Sequence, residues 1–215
     1  MLVRDIMTTN VITIPSDTPM FEAEKIMEFH KIERLPIVDK GKLVGLVTKD
    51  TLLKAGPSKG TSFSRGELFY LLSKLIVKEI MVTDVVTVSP DTTVEQAATK
   101  AQKNKVGCLP VLEDNKVVGI VTTNDFFYKI LNPLLGIGEG GKRIIVQGVG
   151  EPEGMQKVLE TVRKGDIEIK SFCSFSSSGA GKNDFMLHLN TEDVTTVLKQ
   201  LKEMGFKAEE RQRTI

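Results

Sequence analysis

The four residues Thr122-Thr-Asn-Asp125 place a carboxylate three positions after a hydroxyl, directly behind an apolar run, Val117 to Val121, that reads as a strand. At a strand-to-helix turn this arrangement suits a sugar. A ribose presents two vicinal hydroxyls that one carboxylate accepts together, each charge-assisted bond contributing roughly 1.5–3 kcal/mol when shielded from water. The threonine hydroxyl and the open amides of the helix's first turn are available to a phosphate. A structural alternative competes, in which Asp125 only caps its helix and Thr122 only packs. Earlier in the chain, Thr48-Lys-Asp-Thr51 departs from the pattern by putting Thr51 where the carboxylate should stand and Asp50 one position early. One residue turns a helical side chain by about 100°, so Asp50 is expected to point elsewhere.

No comparable set supports catalysis. His30 lies at the end of a predicted helix and His188 in a predicted strand, and neither stands at ligand spacing to another His or to Cys108 or Cys173. No catalytic residue, metal or resident cofactor is expected, and the chain is read as no enzyme. The two cysteines form neither a disulfide framework nor a zinc knuckle, which leaves buried structural thiols. Gly136-Ile-Gly-Glu-Gly-Gly141 fits G-x-G-x-x-G by letter, but it follows a helix and opens a strand, the reverse of a dinucleotide loop. It reads as a flexible linker. Ser176-Ser-Ser-Gly-Ala-Gly-Lys182 lacks the leading Gly and the following Ser or Thr of a phosphate loop and reads as a hairpin loop.

The elements that must hold the Thr122–Asp125 turn occur twice. Val3-Arg-Asp-Ile-Met7 is echoed by Val77-Lys-Glu-Ile-Met81, and at that offset of 74 the match runs without a gap, 17 of the 51 positions from Val3 to Leu53 being identical. Two copies of one supersecondary unit commonly pack face to face, each covering the other's apolar side. Each copy reads βαββα. A short strand, Val11–Ile14 or Val85–Val88, leads to a helix start at Thr18-Pro19, or at a capping box of Thr92 and Glu95, and a helix to about His30 or Asn104. A strand through Leu35-Pro36 or Leu109-Pro110 then turns at Lys40-Gly41 or Asp114-Asn115 into a second strand, and a second helix begins near Lys49 or Thr123. Between the copies Ala55 to Ser62 reads as a loop, and Ser64-x-x-Glu67 caps an apolar helix through Ile76 that packs on its own module or on a partner.

These residues resemble the CBS-domain family, whose pairs form the Bateman module. The resemblance covers Val3 to about Leu131 and rests on the h-x-T-h strand, the Asp-Thr helix start, Leu-Pro and Gly-h-h-Thr in both copies. It implies two clefts between the copies that bind adenosine-containing ligands such as AMP, ADP, ATP or S-adenosylmethionine, in a metabolite sensor. Each cleft is expected to join the T-x-x-D segment of one copy to strand and turn residues of the other. The preferred site therefore combines Thr122, Asn124 and Asp125 with Met7, Asn10, Ile12, Ile32, Glu33, Arg34 and Pro36, with Ile12 and Ile32 around the adenine and Arg34 and Lys49 toward phosphate. A second cleft, weaker or empty, combines Thr48 and Thr51 with Met81, Asp84, Val86, Val106, Gly107 and Cys108. The Leu-Pro and Gly positions also have an architectural reading, since Pro sets a turn and Gly permits close approach.

From Arg143 onward the order strand, helix, strand, strand, helix, strand is ferredoxin-like and resembles the ACT domain, with Glu151, Glu153, Gly154 and Met155 at the turn where that family binds small ligands such as amino acids. Structural use of this turn is the alternative. The expected class is α+β, divided into a CBS motif at 1–54, linker and helix at 55–76, a second CBS motif at 77–132, a linker at 133–142 and an ACT-like domain at 143–215. The order CBS, CBS, ACT resembles acetoin-utilisation B-type proteins, and both families imply a homodimer and an unidentified regulated enzyme as partner. Composition agrees with a globular chain, 40% hydrophobic and 27% charged with a net charge of +1, and offers no broad basic face to nucleic acid. The opening Met1-Leu-Val-Arg-Asp5 has no apolar signal core and no 18-residue apolar run follows, so a cytoplasmic location away from the membrane is expected.

Overall fold

Positive φ at two successive residues defines the tight hairpin turns: Lys40 and Gly41 (49° and 77°) in the first copy, Asp114 and Asn115 (48° and 62°) in the second. This is the backbone that right-twisted strands demand of a two-residue loop. The turns join β1 (Arg34–Asp39) to β2 (Lys42–Thr48), and β3 (Cys108–Glu113) to β4 (Lys116–Thr122), as two antiparallel hairpins. The computed structural model describes residues 1–55, 74–150, 152–176 and 183–211, which divide into the units Met1–Asp125 and Phe126–Ile215.

In the first unit α1 (Val3–Ile6), α2 (Met20–His30) and α3 (Lys49–Ala55) belong to the first copy, and α4 (Val94–Asn104) and α5 (Thr123–Phe126) to the second. Met20, Ala23 and Met27 put one face of α2 into a core with Leu35, Ile37, Val47 and Leu52, the spacing of an amphipathic helix on a hairpin. Each copy lends its opening turn to the other. Val3 and Arg4 donate their amides to Thr92 O and Pro90 O, while Val77 and Lys78 donate to Thr18 O and Ser16 O. Val3, Ile6 and Val77 are buried as a result.

Several expected boundaries move. The strands foreseen at Val11–Ile14 and Val85–Val88 shrink to single parallel bridges, Ile14 to Ile37 and Val88 to Val111. Ser16 N, the amide that would extend the first ladder, donates to Asp39 Oδ1 at 2.9 Å instead, and Pro90 has no amide to extend the second. The first-copy helix begins one residue late, with Pro19 as N-cap and the Thr18 hydroxyl donating to Pro15 O at 2.8 Å. In the second copy the capping box is Thr93 with Gln96, not Thr92 with Glu95. Gln96 N donates to Thr93 Oγ1 at 3.2 Å, and the Thr92 hydroxyl oxygen instead accepts from Ser89 N. Thr93→Ala is accordingly expected to lower stability by about 1 kcal/mol and Glu95→Ala to change it little, as read by urea denaturation. Leu75 and Ile76 are extended, not helical; Leu75 O accepts from Met20 N and Ile76 bridges Pro19. The rest of the inter-copy loop and apolar run, 56–73, lies outside the described residues, as do Glu151 and the loop at 177–182.

The second unit opens with a π-helical turn, Phe127–Leu131, and α6 (Asn132–Leu135). Pro133, which has no amide to donate, stands just beyond the widened turn. Then follow β5 (Lys142–Gln147), α7 (Pro152–Lys164), β6 (Ile169–Ser176), β7 (Asn183–Leu189), α8 (Thr195–Glu203) and β8 (Lys207–Arg211). The four strands are antiparallel in the order β6-β7-β5-β8, the arrangement that a βαββαβ chain takes in a ferredoxin-like fold. Ile144, Val146, Phe185, Leu187 and Leu189 face Val158, Val162, Val197 and Leu201 of the helices.

The glycine-rich segment foreseen as a flexible linker is instead fastened to this sheet. Gly136 caps α6 in the left-handed region (φ 61°), and a Cβ there would collide with the imidazole of His188. Buried His188 reaches Gly140 O through Nε2 at 2.9 Å, and Lys170 Nζ donates to the same carbonyl at 3.1 Å. A carbonyl only accepts, so Nε2 carries the proton. Flexibility inferred from glycine content is overridden here by two side chains that hold one backbone oxygen. Among the described residues no helix is long and apolar enough to cross a membrane.

Candidate functional site

The last residue of β4 begins the turn that carries the sequence-predicted carboxylate. Asp125 Oδ2 accepts from Thr122 N at 2.8 Å and from Thr122 Oγ1 at 2.7 Å, so the half-buried carboxylate closes the strand-to-helix turn on itself. The capping role weighed from sequence is thus present. In the first copy the polarity reverses: Thr48 Oγ1 accepts from Thr51 N at 3.1 Å, and the two hydroxyls stand 2.8 Å apart. Asp50, expected to point elsewhere, is paired with Lys54 Nζ at 2.7 Å and still borders the cavity at this turn.

Around each turn the opening segment of the other copy is laid down by backbone pairing. Thr8 and Ile120 exchange hydrogen bonds at 2.9 and 3.0 Å, and Val82 and Leu46 do so at 2.9 Å in each direction. Met7 lies against Gly119 and Met81 against Gly45. Beyond the second pair, Asp84 and Val86 reach the Thr48 turn. Ile12 and Ile32 are half-buried against the first-copy core, Pro36 is buried in β1, and Asn10 and Asn124 are exposed.

At the Thr48 turn the two copies enclose a cavity of about 400 Å³, within the range of small-molecule sites. Thr48, Thr51, Asp84, Val86, Val106, Gly107 and Cys108 line it, whereas Met81, expected beside them, packs against Gly45 and is not on this lining. Glu33 and Arg34, placed from sequence in the Asp125 cleft, also line this cavity, and so does Lys49. Arg34 lies where the copies meet: a Cβ at Gly107 would stand 3.0 Å from Arg34 Nη2 and 3.6 Å from Thr123 Oγ1. Burial pushes the Cys108 thiol above its ordinary range, against the opposing pull of the Arg34 charge. Sequence reasoning passed over Lys105, which lines the cavity. Its identity with Lys31 across the repeat was the available signal.

In the second unit Gly148 and Gly150 take positive φ (65° and 60°) in the turn between β5 and α7, and buried Asp184 anchors it by accepting from Gly148 N at 2.8 Å. Glu153, Gly154 and Met155 lie in the first turn of α7. A side chain at Gly154 would press on Val149 O, which explains the glycine architecturally. Met155 is partly exposed beside a shallow apolar groove with Pro152 and Leu159. Among the described residues no group of three or more His, Cys, Asp or Glu could hold a metal ion.

Residues 3–58 and 77–132 match the protein family described as CBS domain. The chain is 37% identical over 126 residues to L-aspartate semialdehyde sulfurtransferase of Methanocaldococcus jannaschii, which is 58% of this chain and 22% of that enzyme. It spans about a quarter of the length of such curated relatives, 22%, 25% and 23% for three of them. Of solved structures, one named AcuB, for acetoin utilization, from Vibrio cholerae is 34% identical, covers 61% of this chain and 91% of its own, and superposes with a TM-score of 0.52. The structure of CBSX2 in complex with AMP is 28% identical, covers 61% of this chain and 96% of its own, and has a TM-score of 0.51.

Proposed function

This chain belongs to the CBS-domain family, and we propose that it is a regulatory sensor that binds an adenine nucleotide, or S-adenosylmethionine, between its two CBS motifs. The observation that carries the reading is the Thr122–Asp125 turn. It sets a carboxylate in the helical turn directly behind a strand, held in orientation by two hydrogen bonds from Thr122. A carboxylate offers about four lone-pair sites, so ribose hydroxyls join donors already in place and the side chain is ordered before the ligand arrives. The AMP held by CBSX2 supports an adenosine-containing ligand. In this reading Met7, Asn10, Ile12, Ile32 and Pro36 complete the site, Glu33 and Arg34 lining the cavity at Thr48 instead, and the protein regulates an enzyme in the cytoplasm and catalyses nothing itself.

The ferredoxin-like unit is read as an ACT-like domain that takes a small ligand, such as an amino acid, at the turn before α7 and pairs with a second copy in a homodimer. The open Gly148–Gly150 turn and the apolar groove beside Met155 support it. A second reading, an interaction module with vestigial nucleotide sites, is favoured at one cleft by Thr51, whose hydroxyl is engaged with Thr48. Calorimetric titration of the full chain with AMP, ATP and S-adenosylmethionine separates the two. Saturable heat from at least one of them is expected, and silence with all three leaves only the interaction module.

A further inference from the structure

Leu187 and Leu189 point into the core between sheet and helices, so His188 between them points to the opposite face of the sheet. Helices α7 and α8 lie on the other side, yet His188 is only 1% exposed. What buries it is the strap from Gly136 to Gly141, the path by which the chain leaves α6 and enters the sheet at β5. A Cβ at Gly136 would collide with the ring, and one at Gly141 would stand 3.3 Å from Nε2. The imidazole is satisfied at one nitrogen only. Nε2 donates to Gly140 O at 2.9 Å, whereas Nδ1 is buried and has no hydrogen-bond partner among the described residues. A neutral ring tolerates this, because the bare nitrogen carries only a lone pair. An imidazolium would turn it into a second donor sealed against Gly136 with nothing to accept.

The surrounding charges oppose a further cation. Lys170 Nζ on β6 shares the Gly140 carbonyl at 3.1 Å, and Arg143 on β5 stands directly across from His188, with Arg211 of β8 beyond it. Residues opposite one another share a face of the sheet. The nearby anions are engaged elsewhere: Glu139 on the strap lies 4.0 Å from Lys170 Nζ, Glu209 lies 3.7 Å from Arg211, and Asp184 accepts from Gly148 N. Ser171, across from His188 on β6, is uncharged, burial pushes the Cys173 thiol up, and α6 carries no charged residue.

We propose that His188 is an acid-operated latch: the neutral ring holds Gly140 and seals against Gly136, and the protonated ring lets the strap lift into water. The lifted state takes up the extra proton, so acid favours it. Entry of the chain into the second unit's sheet is thereby fixed at neutral pH and freed on acidification, independently of any ligand in the first unit.

The test is amide hydrogen exchange of the full chain from about pH 8 to about pH 5, the range in which an imidazole changes charge. It is read at Ile137 and Glu139, whose amides donate to Asn132 O at 2.8 Å and Gly136 O at 3.3 Å. Nitrogen-15 NMR of the two imidazoles accompanies it, with exposed His30 as the internal reference. Protection of the strap, corrected for the intrinsic effect of pH on exchange, is expected to fall about tenfold or more as His188 takes up its proton, the equivalent of one buried donor left unpaired. His188→Gln keeps a neutral N–H donor and cannot titrate, so its strap is expected to stay protected throughout, and His188→Ala to be unprotected at every pH. A loss on acidification that persists in His188→Gln overturns the inference, as does a His188 that protonates while the strap stays closed, or a strap equally protected over the whole range. If His188→Gln does not fold, the wild-type signals decide: loosening that tracks the His188 imidazole upholds the latch, and loosening that does not sinks it.

Discussion

Asp125→Ala is expected to lower the affinity for AMP by about two orders of magnitude. Two charge-assisted bonds to ribose hydroxyls, taken at about 1.5 kcal/mol each, sum to roughly 3 kcal/mol, and each 1.4 kcal/mol is tenfold in Kd. The substitution also removes the acceptor for Thr122 N and Oγ1, so a stability loss of about 1 kcal/mol, typical of a lost cap, accompanies it. The two effects are separable. Thr122→Val deletes the hydroxyl donor but keeps the amide and the carboxylate, and should cost stability with a smaller fall in affinity. Thr51→Ala removes a hydroxyl already engaged with Thr48 and should leave AMP binding at the Asp125 turn unchanged. If Asp125→Ala binds AMP as tightly as wild type in calorimetry, the carboxylate is only a cap and the sugar-binding assignment is wrong.

Gly119→Val should be strongly damaging to the interface between the copies. A Cβ at Gly119 would collide with Met7 Sδ and stand 3.3 Å from Thr8 O, and Thr8 cannot retreat because its backbone is paired with Ile120. Overpacking typically costs about 1–3 kcal/mol, and the rigid backbone neighbour places this case near the upper figure. At roughly 2–4 °C per kcal/mol for a chain of this size, Tm should fall by about 6–12 °C. Gly45→Val repeats the experiment at the other joint, where Met81 Sδ and Val82 O, the latter 3.1 Å from the added carbon, stand in the way. Gly140→Ala, with nothing within 4 Å, is the silent control. The mechanism predicts coupling: Gly119→Val combined with Met7→Ala should cost less than the two single changes summed. Strict additivity would show that Met7 and Gly119 do not share that space.

Much of this architecture is legible in the residues because the repeat compares the chain with itself. Two helices ending at His30 and Asn104, two hairpins turning at Lys40-Gly41 and Asp114-Asn115, and a βαββαβ tail all rest on local periodicity and turn chemistry, where short-range sterics decide. Legibility falls where a neighbour distant in sequence decides. Strand signals at Val11–Ile14 and Val85–Val88 are sound locally, yet each segment finds one bridging partner before its next amide is taken by Asp39 or is missing at Pro90. The glycines at 136–141 read as slack because nothing nearby in sequence reveals that His188 and Lys170 lie against them.

The candidate site divides along the same line. Asp125 beside Thr122 and the engaged Thr51 follow from helix geometry over four residues, which sequence alone determines. Tertiary structure decides where the cations lie: Arg34 and Lys49, expected on the Asp125 side, line the cavity at Thr48. A long, flexible side chain near the meeting of two copies can serve either cleft, and the choice depends on which neighbour is small enough to admit it. Here that neighbour is Gly107, brought beside Arg34 by the folding of one copy against the other.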